Sequence, residues 1–199
     1  MDLLTPILQA SGLFMATNID DIIVVSLFFA RGAGVRGTTA KIAAGQYLGF
    51  GAILAVSVLV SLGAASFLPQ DAIAYFGLIP LALGLYAAWR AWRGDDDDDE
   101  EMMAGKAISV WTVAGVTFAN GGDNIGVYVP VFVTVGTGAI VAYSIVFLIL
   151  VAVLVLLAKF VATRRPIAGV LKRWEHVLFP LVLIGLGVVI LVEGGAFGL

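Results

Sequence analysis

The sequence predicts an all-α membrane protein of six transmembrane helices, arranged as two inverted three-helix repeats with both termini extracytoplasmic. Three observations lead there. Of the 199 residues, 61% are hydrophobic and 13% charged, and the mean hydropathy of +1.06 is too high for a soluble domain of this length. Six apolar runs approach the roughly 20 residues that a helix needs to cross a bilayer. All 11 Lys and Arg residues fall in alternate connections between those runs.

The first run, Leu3 to Phe29, starts without a basic segment and outlasts a signal peptide, so no cleaved targeting segment is expected. The second, Ile42 to Leu68, carries Gly45-Gln46-Tyr47-Leu48-Gly49. Its two glycines suit close helix packing, with Gln46 beside a polar partner. The third run is Ala72 to Trp89. The fourth, Ile108 to Val135, contains Gly121-Gly122, where paired glycines weaken a helix by roughly 1 kcal/mol each and favour unwinding. The fifth is Ala139 to Phe160 and the sixth Val177 to Val192. Pro80, Pro130 and Pro180 are candidate kinks or packing features and receive no functional role.

Basic residues mark three connections: Arg31, Arg36 and Lys41; Arg90, Arg93 and Lys106; and Lys159, Arg164, Arg165, Lys172 and Arg173. The positive-inside rule places these loops in the cytoplasm. Trp89, Trp92, Trp111 and Trp174 gather near the same helix ends, as interfacial anchors do; His176 and Glu193 read as interfacial too. The chain is one transmembrane domain, 1–199. Repeat one is 1–93, and repeat two is 107–199. Between them, the linker 94–106 holds seven consecutive acids, Asp95 to Glu101. Such a run repels itself and stays solvated, so it is left outside the site.

The repeat shows in two look-alike motifs, Ala16-Thr17-Asn18-Ile19-Asp20-Asp21-Ile22 and Ala119-Asn120-Gly121-Gly122-Asp123-Asn124-Ile125. Ile79-Pro80-Leu81 echoes Phe179-Pro180-Leu181 further along. Three spans per half, an odd number, turn the second half upside down, the plan of many secondary transporters with a site at the repeat interface. Counted back from Arg31 at about 1.5 Å per residue, Asp20 lies roughly 16 Å inside a ~30 Å core. Asp123 is equally deep.

An acid at that depth costs at least about 2.5 to 3.5 kcal/mol on insertion scales, and intramembrane acids usually face a partner, a cavity or a passing cation. On a continuous helix Thr17, Asp20 and Asp21 share one face, as do Asn120, Asp123 and Asn124, with Asn18 joining through Asp21. Unwound backbone beside Asp123 would require a wet cavity there. Carboxylates, amides and a hydroxyl offer oxygen, which suits divalent cations such as Mn, Mg, Ca, or Cd behaving like Ca. Three carboxylates against one divalent ion leave one negative charge in excess, which a proton would neutralise. Metal and proton would therefore compete.

The chain has no Cys and one His, which excludes thiolate sites and dithiol redox relays. It has neither a phosphate-binding loop nor a zinc-protease motif. No enzyme, resident cofactor or nucleic-acid partner is expected. Two alternatives remain beside a cation transporter. An amino-acid exporter would need a basic residue within a span for its carboxylate, and none is there; a membrane scaffold would use the aspartates as structural glue.

Thr17-Asn18-Ile19-Asp20-Asp21, Gly45-Gln46-Tyr47-Leu48-Gly49 and Asn120-Gly121-Gly122-Asp123-Asn124-Ile125-Gly126-Val127-Tyr128 together resemble the cadmium-resistance transporter family (CadD type) of the lysine-exporter (LysE) superfamily. The resemblance runs over essentially the whole chain. It implies a bacterial inner-membrane exporter of divalent cations, cadmium or a similar ion such as manganese, calcium or magnesium. It also implies six helices in two inverted halves, with Asp20, Asp21 and Asp123 on the ion path.

Overall fold

In a computed structural model, which describes residues 4–93 and 108–196, the chain is all helical. No strand occurs among the described residues. The helices are α1 (Leu4–Thr17), α2 (Ile19–Arg31), α3 (Thr38–Phe67), α4 (Gln70–Ala74), α5 (Leu78–Arg93), α6 (Val110–Asn120), α7 (Gly122–Thr134), α8 (Thr137–Val161) and α9 (Arg165–Glu193). A 3-10 turn, Tyr75–Gly77, joins α4 to α5. The acidic run 95–101 lies outside the described residues, and so do the side chains of Lys172, Arg173, Trp174 and His176.

Three stretches are long and apolar enough to cross a membrane: Thr38–Phe67, Ala72–Arg93 and Thr137–Val161. The predicted first span, one helix over Leu3 to Phe29, is instead two helices meeting at 57°. Counted together they make a fourth span. The break has a local cause. Thr17 Oγ1 donates to Leu13 O at 3.1 Å and Asn18 Nδ2 to Phe14 O at 2.9 Å, side-chain bonds that compete with the helix's own ladder. The predicted fourth span is also divided, at Gly121, where paired glycines were expected to unwind it; its pieces are 11 and 13 residues long. In α9 the described apolar stretch is Pro180–Glu193, and the helix already starts at Arg165. Arg165, Lys172 and Arg173, read from sequence as loop residues, therefore lie on a helix. Pro166, next to the helix start, is pre-set for that position.

Packing couples the two halves. The long α3 lies against both α6 and α7, while the long α8 lies against both α1 and α2. Each divided span of one half thus rests on the second long helix of the other. The α3 contact with α6 works through glycine, as the sequence predicts: a Cβ on Gly45 would stand 2.5 Å from Val113 Cβ and 2.7 Å from Val110 O. One on Gly49 would stand 2.7 Å from both Ala114 O and Thr117 Cβ. Helices α5 and α9 press together similarly, with a Cβ on Gly84 falling 2.8 Å from Ile184 N.

The core runs through the middle of this arrangement and is rich in rings: Phe14, Phe28, Phe50, Tyr128, Phe132 and Phe147 are buried. Large apolar side chains such as Leu59, Leu156, Phe160 and Leu181 are exposed instead. An apolar exterior of that extent belongs in lipid. Trp92 and Trp111 are also largely exposed, and Arg93 lies over the Trp89 ring at 4.5 Å.

Candidate functional site

The two helix breaks fall at residues that the repeat alignment pairs. With Ala16 set against Ala119, Asn18 meets Gly121; α1 ends and α2 begins around the former, α6 ends and α7 begins around the latter. Asp20 and Asp21 therefore occupy the first turn of α2, and Asp123 the first turn of α7. A helix N-terminus carries partial positive charge, so these acids sit where their charge is least costly in a membrane.

Side chains join the two breaks. Asn120, the last residue of α6, donates from Nδ2 to Asp20 Oδ2 at 2.7 Å and to Asp21 Oδ1 at 3.1 Å. One amide nitrogen thus bridges two carboxylates of the opposite half. Asp20 and Asp123 are near enough for their charges to act on one another. Asp123 Oδ1 accepts from the backbone N–H of Asn124 at 2.8 Å.

The predicted residues are not used as a continuous helix would use them. Because the chain bends at Asn18, Thr17 and Asn18 turn to Tyr128 of α7. Thr17 Oγ1 and the Tyr128 hydroxyl share a hydrogen bond of 2.9 Å, and Asn18 Nδ2 donates to the same hydroxyl at 2.9 Å. Thr17's only proton goes to Leu13 O, so Tyr128 donates to Thr17 and accepts from Asn18. Asp20, Asp21 and Asn120 form one group and Thr17, Asn18 and Tyr128 another, the two adjoining through the turn at Asn18. Among the described residues, no three acidic or His side chains are assembled into an ion-holding group.

Several buried polar atoms have no hydrogen-bond partner in the protein: Asn18 Oδ1, both amide atoms of Asn124, and Gln46 Nε2. Asn124 and Asn18 are each 1% exposed. An unsatisfied buried polar group costs about 1 to 3 kcal/mol, so these amides signal a place built to receive something polar. Gln46 belongs to the same region, since its Oε1 accepts from Thr117 Oγ1 at 2.6 Å, one turn before the Gly121 break.

Tyr128 is the residue that sequence reasoning left out of the site. It stood in the quoted motif, but its role depends on two helices far apart in sequence meeting at its hydroxyl. Glu193, read as interfacial, is exposed and lines a cavity of about 380 Å³ with Thr134 and Ile190. That cavity lies at the C-terminal ends of α7 and α9, one helix length from Asp123.

An apolar helical exterior around a polar interior of paired, interrupted helices defines a multi-pass membrane transport protein. The sequence profile of cadmium resistance transporters matches residues 14–199, and the chain belongs to that family. The match covers both helix breaks and every predicted site residue. Neither the search of curated proteins nor that of solved structures produced a match.

Proposed function

We propose that the protein is a secondary transporter that exports divalent metal cations, cadmium or a similar ion such as manganese, calcium or magnesium, in exchange for protons. Asp20, Asp21 and Asp123 supply the charge for the metal, and Asn18, Asn120, Asn124 and Thr17 complete its oxygen shell. The six spans form two inverted repeats in a bacterial inner membrane, with the basic loops cytoplasmic. In that orientation α1 and α7 line the outer half of the path, and α2 and α6 line the inner half.

The observation that carries this reading is the bridge from Asn120 to Asp20 and Asp21, made where two interrupted helices meet. Two carboxylate oxygens already converge on one positively polarised nitrogen, which is the arrangement a cation needs. Interrupted helices near the midplane are how many transporters expose backbone and charge to an ion. The unpartnered amide oxygens of Asn18 and Asn124 are hard donors suited to the same ions. The match of the divided spans across the repeat supports the inverted arrangement, as does the way each rests on the other half's long helix.

The decisive experiment is uptake into proteoliposomes across Cd2+, Mn2+, Ca2+, Mg2+ and Zn2+, for wild type and for Asp20→Asn, Asp21→Asn and Asp123→Asn. Wild type is expected to carry at least one of these ions and each variant to lose most of that flux. A wild type that carries none, or variants that carry as much as wild type, refutes the proposal.

A further inference from the structure

Six aromatic rings pack into one group beside the site. Phe147 of α8 is at their centre, with ring centroids 5.7 Å from Phe14, 6.2 Å from Phe50, 4.8 Å from Tyr128, 6.4 Å from Phe132 and 5.9 Å from Tyr143. These rings come from α1, α3, α7 and α8, so both halves contribute. All six are buried, none more than 4% exposed. The group occupies the region between α1 and α7. At the corresponding place beside α6, Thr117 stands where the repeat puts Phe14 of α1, and its partner is Gln46. The repeat thus sets a ring-packed position, Phe14, against one that carries a buried polar pair, Thr117 with Gln46.

Tyr128 belongs to both the rings and the site. Its ring stacks on Phe132 and lies tilted against Phe147, while its hydroxyl is held by Thr17 and Asn18 at the α1 break. Those two residues have limited capacity. The Thr17 oxygen already accepts from Asn18 Nδ2 at 2.9 Å as well as from Tyr128, so a cation that takes it, with the unpartnered Asn18 Oδ1 beside it, displaces one of those bonds and loosens the hold on Tyr128. Rings packed at this density move as a set, because a core has no room for one to shift alone.

We propose that Tyr128 is a positioning residue that couples occupancy of the ion site to an aromatic plug formed around Phe147. With the site empty, Thr17 and Asn18 hold Tyr128 in place, and the plug closes the path between α1 and α7. With a cation on Thr17 and Asn18, Tyr128 is released and the plug loosens. The proposal rests on the transport reading above, which supplies the cation and places the plug on the extracytoplasmic side. The closed side of the site is a matter of packing alone.

The chain has no Cys, so a single introduced thiol reports access directly. Val127→Cys places it on α7 beside Tyr128, at a position that is fully buried and outside the ion site. Spheroplasts carrying this variant are treated with a membrane-impermeant maleimide, with and without Mn2+ or Ca2+, ions that leave a thiol free. Labelling is expected to be slow without metal and faster with it. Adding Tyr128→Phe keeps the ring and removes the hydroxyl's two bonds; the metal response should then fall by about tenfold while the metal-free rate stays slow. Adding Phe147→Ala, or Phe14→Ala as a second test of the same plug, should give fast labelling with or without metal. A full metal response in Tyr128→Phe overturns the coupling. Slow labelling in folded Phe147→Ala and Phe14→Ala alike overturns the plug. Fast labelling in those two with no metal response in the parent keeps the plug and overturns the coupling. Failure of the transport reading is seen separately, as absence of uptake in proteoliposomes.

Discussion

Replacing Gly49 by Ala tests whether the site depends on the close approach of α3 and α6. An ideal Cβ at this position lies 2.7 Å from the Ala114 carbonyl oxygen and 2.7 Å from Thr117 Cβ. Neither atom can swing aside, since one is backbone and the other is attached to it. Ordinary contact needs about 3.5 to 4.0 Å, so the helices must part by about 1 Å. Overpacking of this kind costs about 1 to 3 kcal/mol, and the better helix propensity of alanine offsets roughly 1 kcal/mol. A net loss of up to about 2 kcal/mol lowers the midpoint of thermal unfolding by up to about 4 to 8 °C for a chain of this size. The functional effect should be larger. Asn120 ends the same helix three residues beyond Thr117, and its bond to Asp21 is already 3.1 Å; a further ångström breaks it. The assay is thermal unfolding in detergent together with metal uptake in proteoliposomes, with Gly51→Ala as the control. Gly51 is also on α3, but nothing lies within 4 Å of its added Cβ. A Gly49→Ala protein with wild-type midpoint and uptake refutes the reasoning, and so does a Gly51→Ala protein harmed as much as Gly49→Ala.

Two further outcomes are expected. Carboxylates must be deprotonated to bind metal, so metal binding releases protons and weakens as pH falls; metal titrations in detergent between about pH 6 and 8 should show lower affinity at the acidic end, and a pH-independent affinity would contradict proton exchange. Replacing Asp95 to Glu101 by Gly and Ser should leave uptake unchanged, because a self-repelling solvated run serves as a connection; a drop in uptake at fixed protein amount would assign the linker a role in ion supply.

Most residues of the candidate site could be singled out before any folding. Asp20, Asp21 and Asp123 stood out because charge in hydrocarbon is costly, and Asn120 and Asn124 because the repeat pairs them with Thr17 and Asp21. The unwinding at Gly121 followed from two adjacent glycines, and the α3 approach to α6 from Gly45 and Gly49. The break at Asn18 was not visible in this way. It arises from side-chain bonds back to Leu13 and Phe14 together with capture of Thr17 and Asn18 by Tyr128, and the last of these spans 110 residues of chain. Helical periodicity assumed an unbroken helix and so placed Thr17 on the face of Asp20.

By itself the sequence determined what acts locally or through composition. An all-helical membrane chain follows from hydropathy, the duplicated polar motifs follow from internal repetition, and the oxygen-only chemistry follows from the absence of Cys. Tertiary structure decided which of those polar groups meet. Asn120 reaches Asp20 and Asp21 only because α6 ends where α2 begins, and Tyr128 joins the candidate site only because its hydroxyl meets the turn at the end of α1. Contacts between distant segments depend on how helices cross and on which side chains the crossing leaves in reach, and neither is set by the residues of one helix alone.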